Sequence, residues 1–266
     1  PASKVEQVVI FGNVNLSTPV IHYLLKEGKD CVFCSSNGRY HGRLISTESR
    51  FGMLRRAQLE AVSGRKLGVT IASQFVIGKI TNQVTFLQRY QRSRQSPVLR
   101  DTIENLQRVL NKIQKSDDTG SLLGIEGYSG SVYFNAFKSL LKQELGFANR
   151  VKRPPRDPVN SLLSFGYTLL VYDTQAAVRI VGLDPFLGFL HSTEYSKPSL
   201  ALDLMEEFRA VIIDSIVLRL INSRMLTAED FVNESGTRRM VRLNQDAIKL
   251  FIECYERRVS TEITHP

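Results

Sequence analysis

Cysteine is scarce in this chain, whose 266 residues contain only Cys31, Cys34 and Cys254. Three cysteines cannot form a disulfide scaffold, so the composition predicts a protein of the reducing cytoplasm. Cys31 and Cys34 have Cys-x-x-Cys spacing, but there is no second cysteine pair to complete a zinc site. The segment KDCVFCSS also has the pattern of a strand, which turns the two side chains to opposite faces. We interpret both as packing residues.

The sequence also lacks a segment that could cross a bilayer or direct secretion. Its most apolar run, Val211 to Ile221, is interrupted by Asp214 and Arg219, and no signal peptide or lipid anchor is apparent. We therefore expect a cytoplasmic protein without a membrane partner.

Two common catalytic loops are missing as well. The glycines of GIEGYSGSVYF (124–134) are not followed by the Gly-Lys-Ser/Thr of a phosphate-binding loop. Ser129 is not the nucleophile of a serine hydrolase, because Ser131 stands where that motif requires a final glycine.

Positive charge, by contrast, is abundant. The chain has 35 Lys and Arg residues against 26 Asp and Glu, which gives a net charge of +9 and a pI near 9.6. A hydrophobic content of 42% is sufficient for a sizeable core. This charge balance indicates a polyanionic partner, with nucleic acid favoured over a membrane surface.

Strand patterns nearly vanish after the first fifty residues, and helical periodicity dominates from there on. KVEQVVIFGNVNLS has the pattern of a strand, TPVIHYLLKEG that of a short helix, and DCVFCSSNGRYHGRLIST that of a hairpin turning at Asn37-Gly38. We predict an α+β protein with a small, incomplete β-rich domain at 1–50 and a larger α-helical catalytic domain at 51–266. The predicted helices are 55–74, 77–92, 99–113, 129–145, 158–176, 198–223, 227–232 and 245–258.

Two segments combine apolar helices with isolated polar groups. Glu126 is flanked by glycines at the predicted head of an apolar helix, where it is either a charge favoured by the helix dipole or a catalytic carboxylate. In RPPRDPVNSLLSFGYTLL (153–170), Asp157 can cap a helix that Pro158 opens, with Asn160 and Tyr167 as polar members of its buried stripe.

A third segment, LHSTEYSKPSLALDLMEEFR (190–209), carries the strongest metal signal. On a helix opened by Pro198, the acids Asp203, Glu206 and Glu207 share one side, and His191 precedes that helix by a short loop. Carboxylate oxygens suit Mg²⁺ or Mn²⁺, and an imidazole favours Mn²⁺. The alternative is that His191 is a capping or core residue and the acids are structural.

In this order and spacing, the three segments closely resemble the CRISPR-associated integrase family of spacer acquisition, the first Cas protein. KVEQVVIFGNVNLS resembles the β-domain of that family and LINSRMLTAEDF (220–231) its late helical segment, so the resemblance spans nearly the whole chain. It implies an N-terminal β-domain joined to an α-helical catalytic domain, in a homodimer that works with the second Cas protein on double-stranded DNA.

The resemblance also implies roles for individual residues. The metal ligands map onto Glu126, His191 and Glu206, with Asp203 as the neighbouring acid of the catalytic set and Mg²⁺ or Mn²⁺ as the cofactor. Arg209 could hold a DNA phosphate near the site. Further candidate DNA-binding residues are basic groups along the chain: Arg39, Arg43, Arg89, Arg92, Arg94, Lys152, Arg153, Arg238, Arg239 and Arg242.

The sequence departs from the family pattern at two places. Many relatives carry arginine where this chain has Ser131, which removes an expected phosphate contact. The chain also begins partway through the β-domain, so we expect either a fragment or a module that follows a fused upstream domain, such as a reverse transcriptase or a Cas nuclease. We expect the strand edge at VEQVVIFG to need a partner, from upstream sequence or from another subunit.

The implied reaction is transesterification, in which the 3′-hydroxyl of a short DNA duplex attacks a phosphodiester at the CRISPR repeat. Two alternatives remain at this point. One is a metal-dependent nuclease acting on branched DNA, and the other is a non-catalytic, basic DNA-binding scaffold.

The charge balance generates a first prediction, about duplex DNA. If six or more phosphates are neutralised, affinity should fall by about a thousandfold or more between about 50 and 200 mM salt, largely independent of base sequence. Fluorescence anisotropy with duplexes of different sequence measures this dependence. A nearly flat salt titration would show that the net charge does not drive binding.

Overall fold

The computed structural model describes residues 5, 7–34, 40–45, 52–113, 116–151, 154–191, 197–234 and 240–262. By its internal contacts the chain divides into two compact units, Pro1–Arg56 and Ala57–Pro266. The model has the small N-terminal sheet and the helical remainder that the sequence predicts, so the α+β fold class is confirmed.

The first unit contains a three-stranded sheet in the order β1-β2-β3, where β1 is Gln7–Phe11, β2 is Asp30–Cys34 and β3 is Tyr40–Leu44. β1 and β2 run parallel and are joined through helix α1 (Thr18–Lys26), whereas β2 and β3 are antiparallel. The helix ends where Gly28 adopts a φ of +63°, a conformation that glycine reaches without a steric penalty.

The core of this sheet is small and contains Ile10, Leu24 and Cys31. Cys31 is fully buried, in agreement with its interpretation as a packing residue, while the side chain of Cys34 lies outside the described part of the chain. β1 is at an edge of the sheet, and its Val9 and Phe11 side chains are 44% and 43% exposed. That this edge needs a partner stays a prediction.

The second unit is built around a long helix. Its helical elements run in the order α2 (Gly52–Ser63), which spans the division between the units, α3 (Arg65–Arg94), α4 (Pro97–Ile113), α5 (Thr119–Leu140), α6 (Pro158–Ile180), α7 (Ser199–Phe208), α8 (Ser215–Asn222) and α9 (Gln245–Val259). At 30 residues, α3 is about 45 Å long and packs against α4, α5 and α7.

Two shorter features complete this unit. A π-helical segment, Arg209–Asp214, joins α7 to α8, so the predicted helix 198–223 is continuous but locally widened. Where the sequence predicted a helix at 227–232, the structure has one turn of 3₁₀ helix, Ala228–Asp230, followed by the antiparallel pair β4 (Phe231–Glu234) and β5 (Met240–Leu243). That predicted helix was wrong.

Two predicted helix boundaries were also wrong. The break expected near residues 75–76 lies instead at Gly64, whose extended backbone separates α2 from α3, while Phe75 and Val76 are buried inside α3. Helix α5 begins ten residues earlier than predicted, because the Asp118 side chain accepts a hydrogen bond from the Ser121 amide and caps its first turn. Glu126 therefore lies inside the helix rather than at its head.

One close approach fixes α6 against its neighbours. A Cβ atom added to Gly166 would lie 2.6 Å from Ile213 Cγ2 and 2.8 Å from Phe251 Cζ. Only glycine lets α6 approach the π-helical segment and α9 this closely. The main core of the second unit forms around these contacts. None of the described helices is long and apolar enough to cross a membrane.

Candidate functional site

Three helices place charged side chains at one buried point. Glu126 on α5, Glu206 on α7 and Lys79 on α3 converge there, with Lys79 5% and Glu206 3% exposed. The Lys79 ammonium group contacts Glu126 Oε1 and lies 2.7 Å from Glu206 Oε2. The two carboxylates thus share one cation, as the low dielectric of a core requires of like charges.

A second cation holds the other oxygen of Glu206. Arg209 Nη2 lies 3.0 Å from Glu206 Oε1, and the guanidinium group stacks over the Tyr167 ring at 4.6 Å from its centre. Burial alone would raise the pKa of the Glu206 carboxyl, but the charges of Arg209 and Lys79 outweigh it and lower the pKa well below its usual range. Glu206 is therefore ionised at neutral pH.

His191 is oriented by Asp203, which is fully buried. One Asp203 oxygen accepts hydrogen bonds from the backbone amides of Phe189 and Leu190, at 2.7 and 2.9 Å. The other accepts from the amide of His191 at 3.0 Å and lies 2.7 Å from His191 Nδ1. Because a carboxylate surrounded by donors acts as an acceptor, Nδ1 donates to Asp203, and Nε2 is the ring nitrogen that Asp203 does not engage.

The loop that carries His191 lies unusually close to α7. A Cβ atom added to Gly188 would lie 2.6 Å from Ser199 Cβ and 2.9 Å from Asp203 Oδ2. The absence of a side chain at this position lets the loop amides reach the Asp203 carboxylate. His191, with 22% of its side chain exposed, is held near Glu206.

A second buried acid lies behind Arg209. Asp214, at the end of the π-helical segment, accepts hydrogen bonds from the hydroxyls of Tyr167 and Tyr133, at 2.6 and 2.8 Å. Tyr167 thus connects two parts of the site: its hydroxyl is held by Asp214 and its ring lies against Arg209. The position of Arg209, and through it that of Glu206, depends on this tyrosine.

Asn160 holds a basic loop against the same tyrosine. Its side-chain oxygen accepts from Arg150 Nη1 and from the amide of Val151, both at 2.8 Å, while its amide group donates to the Asp157 side chain. Arg150 lies over Tyr167 at 5.4 Å from the ring centre. The Asp157 cap predicted for α6 is present, and its partner Asn160 has a structural role in fixing this loop.

The donor set can be compared with what a divalent cation needs. Among the described residues, no three His, Cys, Asp or Glu side chains are grouped closely enough to hold a metal ion. The position between Glu126 and Glu206 is occupied instead by a positive group, the Lys79 ammonium. Two carboxylates that face one cation, with an imidazole nearby, are ligands of the type and charge that suit Mg²⁺ or Mn²⁺.

The predicted DNA-binding residues are distributed differently. Arg209 is in the buried cluster, Arg43 is half-buried in β3, and Arg242 is exposed in β5. Arg89, Arg92 and Arg94 are at the C-terminal end of α3. The remaining members of the set lie outside the described residues: Arg39, Lys152, Arg153, Arg238 and Arg239.

Sequence reasoning missed two residues of the site. Lys79 was not singled out, although its spacing from Val76 and from Gln83 places a charge on the buried stripe of α3. Asp214 was noted only as a charge that interrupts an apolar run. In both cases the signal was a charged side chain at a position where the helix pattern requires an apolar one.

Asp214 generates a prediction about pH and stability. Burial raises the pKa of its carboxyl from 3.8 to about 6, against the opposing effect of the Tyr167 and Tyr133 hydroxyls. The folded state therefore binds a proton more tightly than the unfolded state, so the stability associated with Asp214 falls as pH rises from about 4 to about 6. The full loss above pH 6 is about 3 kcal/mol.

Asp214→Asn should remove this loss, because the amide keeps the shape and carries no charge. We expect its stability relative to the unsubstituted chain to rise by about 2 kcal/mol between about pH 4.5 and pH 7, measured by urea unfolding. Asp101→Asn, at an exposed position of α4, is the control and should show no such change. A constant difference at both pH values would contradict the raised pKa.

Comparisons with known proteins identify the family of this chain. The model of the family "CRISPR associated protein Cas1" matches residues 1–257. A CRISPR-associated endonuclease Cas1 of Thermus thermophilus is 39% identical over 266 residues, which cover 100% of this chain and 77% of that protein.

Solved structures lead to the same family. A Cas1 protein from Thermotoga maritima superposes with a TM-score of 0.80 at 27% identity, over 97% of this chain and 81% of that one. A casposase bound to integration product gives 0.77 at 26% identity, over 98% and 76%. A partial Cas6-RT-Cas1–Cas2 complex gives 0.79 at 27% identity, over 96% and 77%. This chain therefore belongs to the CRISPR-associated Cas1 family.

Proposed function

We propose that this protein is a metal-dependent DNA strand transferase that inserts short DNA duplexes into a CRISPR array. The observation that carries the proposal is the buried cluster in which Glu126 and Glu206 share one cation beside an oriented His191. Its support from relatives is the similarity to a casposase bound to integration product and to a complex of Cas1 with Cas2.

In the proposed reaction, the 3′-hydroxyl oxygen of the incoming duplex forms a bond to a phosphorus atom of the target strand. The bond from that phosphorus to the target 3′-oxygen breaks, the attacking hydroxyl loses its proton, and the departing oxygen gains one. A bound Mg²⁺ or Mn²⁺ would polarise the phosphoryl oxygen and stabilise the charge that develops there. Glu126, Glu206 and His191 Nε2 would hold that cation.

Other residues of the site hold these proposed metal ligands in position. Asp203 fixes the imidazole so that Nε2 remains available, and Arg209 keeps Glu206 ionised and in place. Lys79 occupies the space between the carboxylates, so entry of a divalent cation requires its flexible side chain to withdraw. Arg209, 18% exposed and already positioned by Tyr167, could contact a DNA phosphate next to the site.

We propose double-stranded DNA, a second copy of this chain and the second Cas protein as partners. The Cas1–Cas2 complex among the similar structures supports the last of these. Within the described part of the chain β1 lies at the edge of its sheet, and its exposed Val9 and Phe11 side chains support a contact with another subunit there.

Hydrolysis of branched DNA is the second candidate function, and the description of the Thermus thermophilus relative as an endonuclease favours it. The same site would then direct water, instead of a 3′-hydroxyl, at the phosphorus. A strand-transfer assay with Mg²⁺ or Mn²⁺ separates the possibilities. Joined product supports the transferase, cleavage alone supports the nuclease, and binding with neither supports a scaffold.

The proposed roles of Glu126, His191 and Glu206 as metal ligands generate the next prediction. Glu126→Gln, His191→Ala and Glu206→Gln should each abolish strand transfer while duplex binding survives, because each removes a donor to the cation. Asp203→Asn should impair it by about 10–100-fold, since Asp203 acts through the orientation of His191.

Glu207→Gln is the matched control, one residue further along α7, where the glutamate side chain lies next to Gly78 of α3. It should keep most of the activity. Thermal unfolding of every variant shows whether it is folded. An active Glu206→Gln protein, or a folded but inactive Glu207→Gln protein, would show that the wrong carboxylate has been assigned.

Lys79 generates a separate prediction about metal affinity. Replacing it with methionine removes the competing cation and leaves two buried carboxylates that repel each other, so Lys79→Met should bind Mn²⁺ at least about tenfold more tightly. Electron paramagnetic resonance of free Mn²⁺ measures this without DNA or turnover. Lys66→Met, at an exposed position of α3, should leave the affinity unchanged. Equal affinities for Lys79→Met and the unsubstituted chain would place the metal elsewhere.

A further inference from the structure

Helix α2 buries a polar side chain where a surface helix normally buries an apolar stripe. Among the described residues of α2, Gln58 alone is buried, with 5% of its surface exposed. Leu59, the next residue along the helix, is 52% exposed. The group that α2 inserts into the second unit is therefore a primary amide, and its hydrogen-bond partners show what it holds.

The Gln58 amide binds the backbone of a single short segment. Its Nε2 donates to the carbonyl oxygens of Asp184 and Leu187, at 2.8 and 3.0 Å, and its Oε1 accepts from the amide of Asp184 at 2.8 Å. A primary amide has two N–H donors and one carbonyl oxygen, so the segment offers the complement of a glutamine. A glutamate here would place a carboxylate against two carbonyl oxygens, and a methionine would bind none of the three groups.

The segment that Gln58 holds runs directly into the loop that ends at the imidazole. Gln58 binds the carbonyl of Leu187, and two residues later the amide of Phe189 donates to Asp203. The residue between them is Gly188, which has no side chain to restrict its backbone torsions. The direction of the chain at this glycine is therefore set by the hydrogen bonds on its two sides.

The downstream hydrogen bonds alone do not define where the imidazole lies. The backbone amide and Nδ1 of His191 both lie on one Asp203 oxygen, at 3.0 and 2.7 Å. Groups that converge on a single carboxylate leave the loop free to rotate about it unless the chain is also held at a second point. The amide of Gln58 supplies that second point on the upstream side of the loop.

We propose that Gln58 is a positioning residue of the candidate metal site, because its grip on the backbone of residues 184–187 determines where the His191 imidazole lies relative to Glu206. The inference rests on the proposed function, in which His191 binds the cation, and adds to it the residue that aims this ligand. Gln58 acts through His191 rather than on the cation or on DNA.

The imidazole itself gives the first test. In metal-free protein with ¹⁵N-labelled histidine rings, NMR reports on the four histidines of the chain, and the signal of His191 is identified by its absence from His191→Ala. We expect one His191 signal with a proton on Nδ1, the nitrogen that Asp203 holds. Gln58→Met should split or broaden that signal, since the ring then occupies several positions.

Metal affinity gives the second test. Gln58→Met should weaken Mn²⁺ binding by about 10–100-fold, the effect typical of residues that orient a metal ligand. Electron paramagnetic resonance of free Mn²⁺ measures this without DNA. In the His191→Ala background, Gln58→Met should change the affinity by less than about twofold, because Gln58 then has no ligand to position.

Gln143→Met is the matched control. Gln143 also donates from its side-chain amide to two backbone carbonyls, those of Ile221 and Leu226, but not in the loop of His191. Its substitution should leave the His191 signal and the Mn²⁺ affinity unchanged. If Gln58→Met does not fold, Gln58→Glu replaces it and should show the same losses, since a carboxylate of equal length repels the two carbonyl oxygens.

Four outcomes would overturn the inference. An unchanged His191 signal, or an unchanged Mn²⁺ affinity, in a folded Gln58 variant would show that Gln58 does not position the imidazole. An undiminished effect of Gln58→Met in the His191→Ala background, or an equal loss in Gln143→Met, would indicate a general loosening of the fold.

The NMR measurement separates this inference from the proposed function, because it needs neither metal nor DNA. Strand transfer by the unsubstituted chain, together with a His191 signal that Gln58→Met leaves unchanged, would refute this inference alone. A His191 signal that responds to Gln58→Met, in a protein whose unsubstituted chain performs no strand transfer, would refute the proposed function alone.

Discussion

Two carboxylates and two cations lie together where α3, α5 and α7 meet, and each of these charges is compensated by an opposite one. Glu126 and Glu206 would repel each other across a medium of low dielectric, and Lys79 bridges them. Removing one partner from a buried ion pair typically costs about 3–5 kcal/mol, because the other charge stays buried and unpaired. The packing of three helices is therefore tied to this charge balance.

The same balance explains how a stable core can contain a reactive site. Lys79 compensates the two carboxylates, and in the proposed function its flexible side chain would leave when a divalent cation replaces it. Arg209 behaves differently: it is clamped between Glu206 and the Tyr167 ring, so its charge is a permanent part of the site. In the proposed function, Lys79 is therefore the exchangeable cation and Arg209 the structural one.

Buried polar groups behind the site hold these charges in position. Asp214 holds the hydroxyls of Tyr133 and Tyr167, and Asp203 holds the loop that carries His191. Neither acid faces the space between Glu126 and Lys79. In both cases burial is compensated by several hydrogen bonds, which is the condition under which a core accepts a carboxylate. Glu206 thus contacts the cations Lys79 and Arg209, whereas Asp203 and Asp214 position other groups.

The sequence alone determined the fold class, the basic character and the order of three motifs, because charge and periodicity are local properties. Its spacing also grouped His191, Asp203 and Glu206 on one segment. Helix ends were harder to predict, since the start of α5 depends on a single cap at Asp118. Only the tertiary structure revealed that Lys79, 47 residues from Glu126 in sequence, lies between the acids. The role of a lysine on a buried stripe cannot be predicted until the helices that carry its carboxylate partners are packed around it.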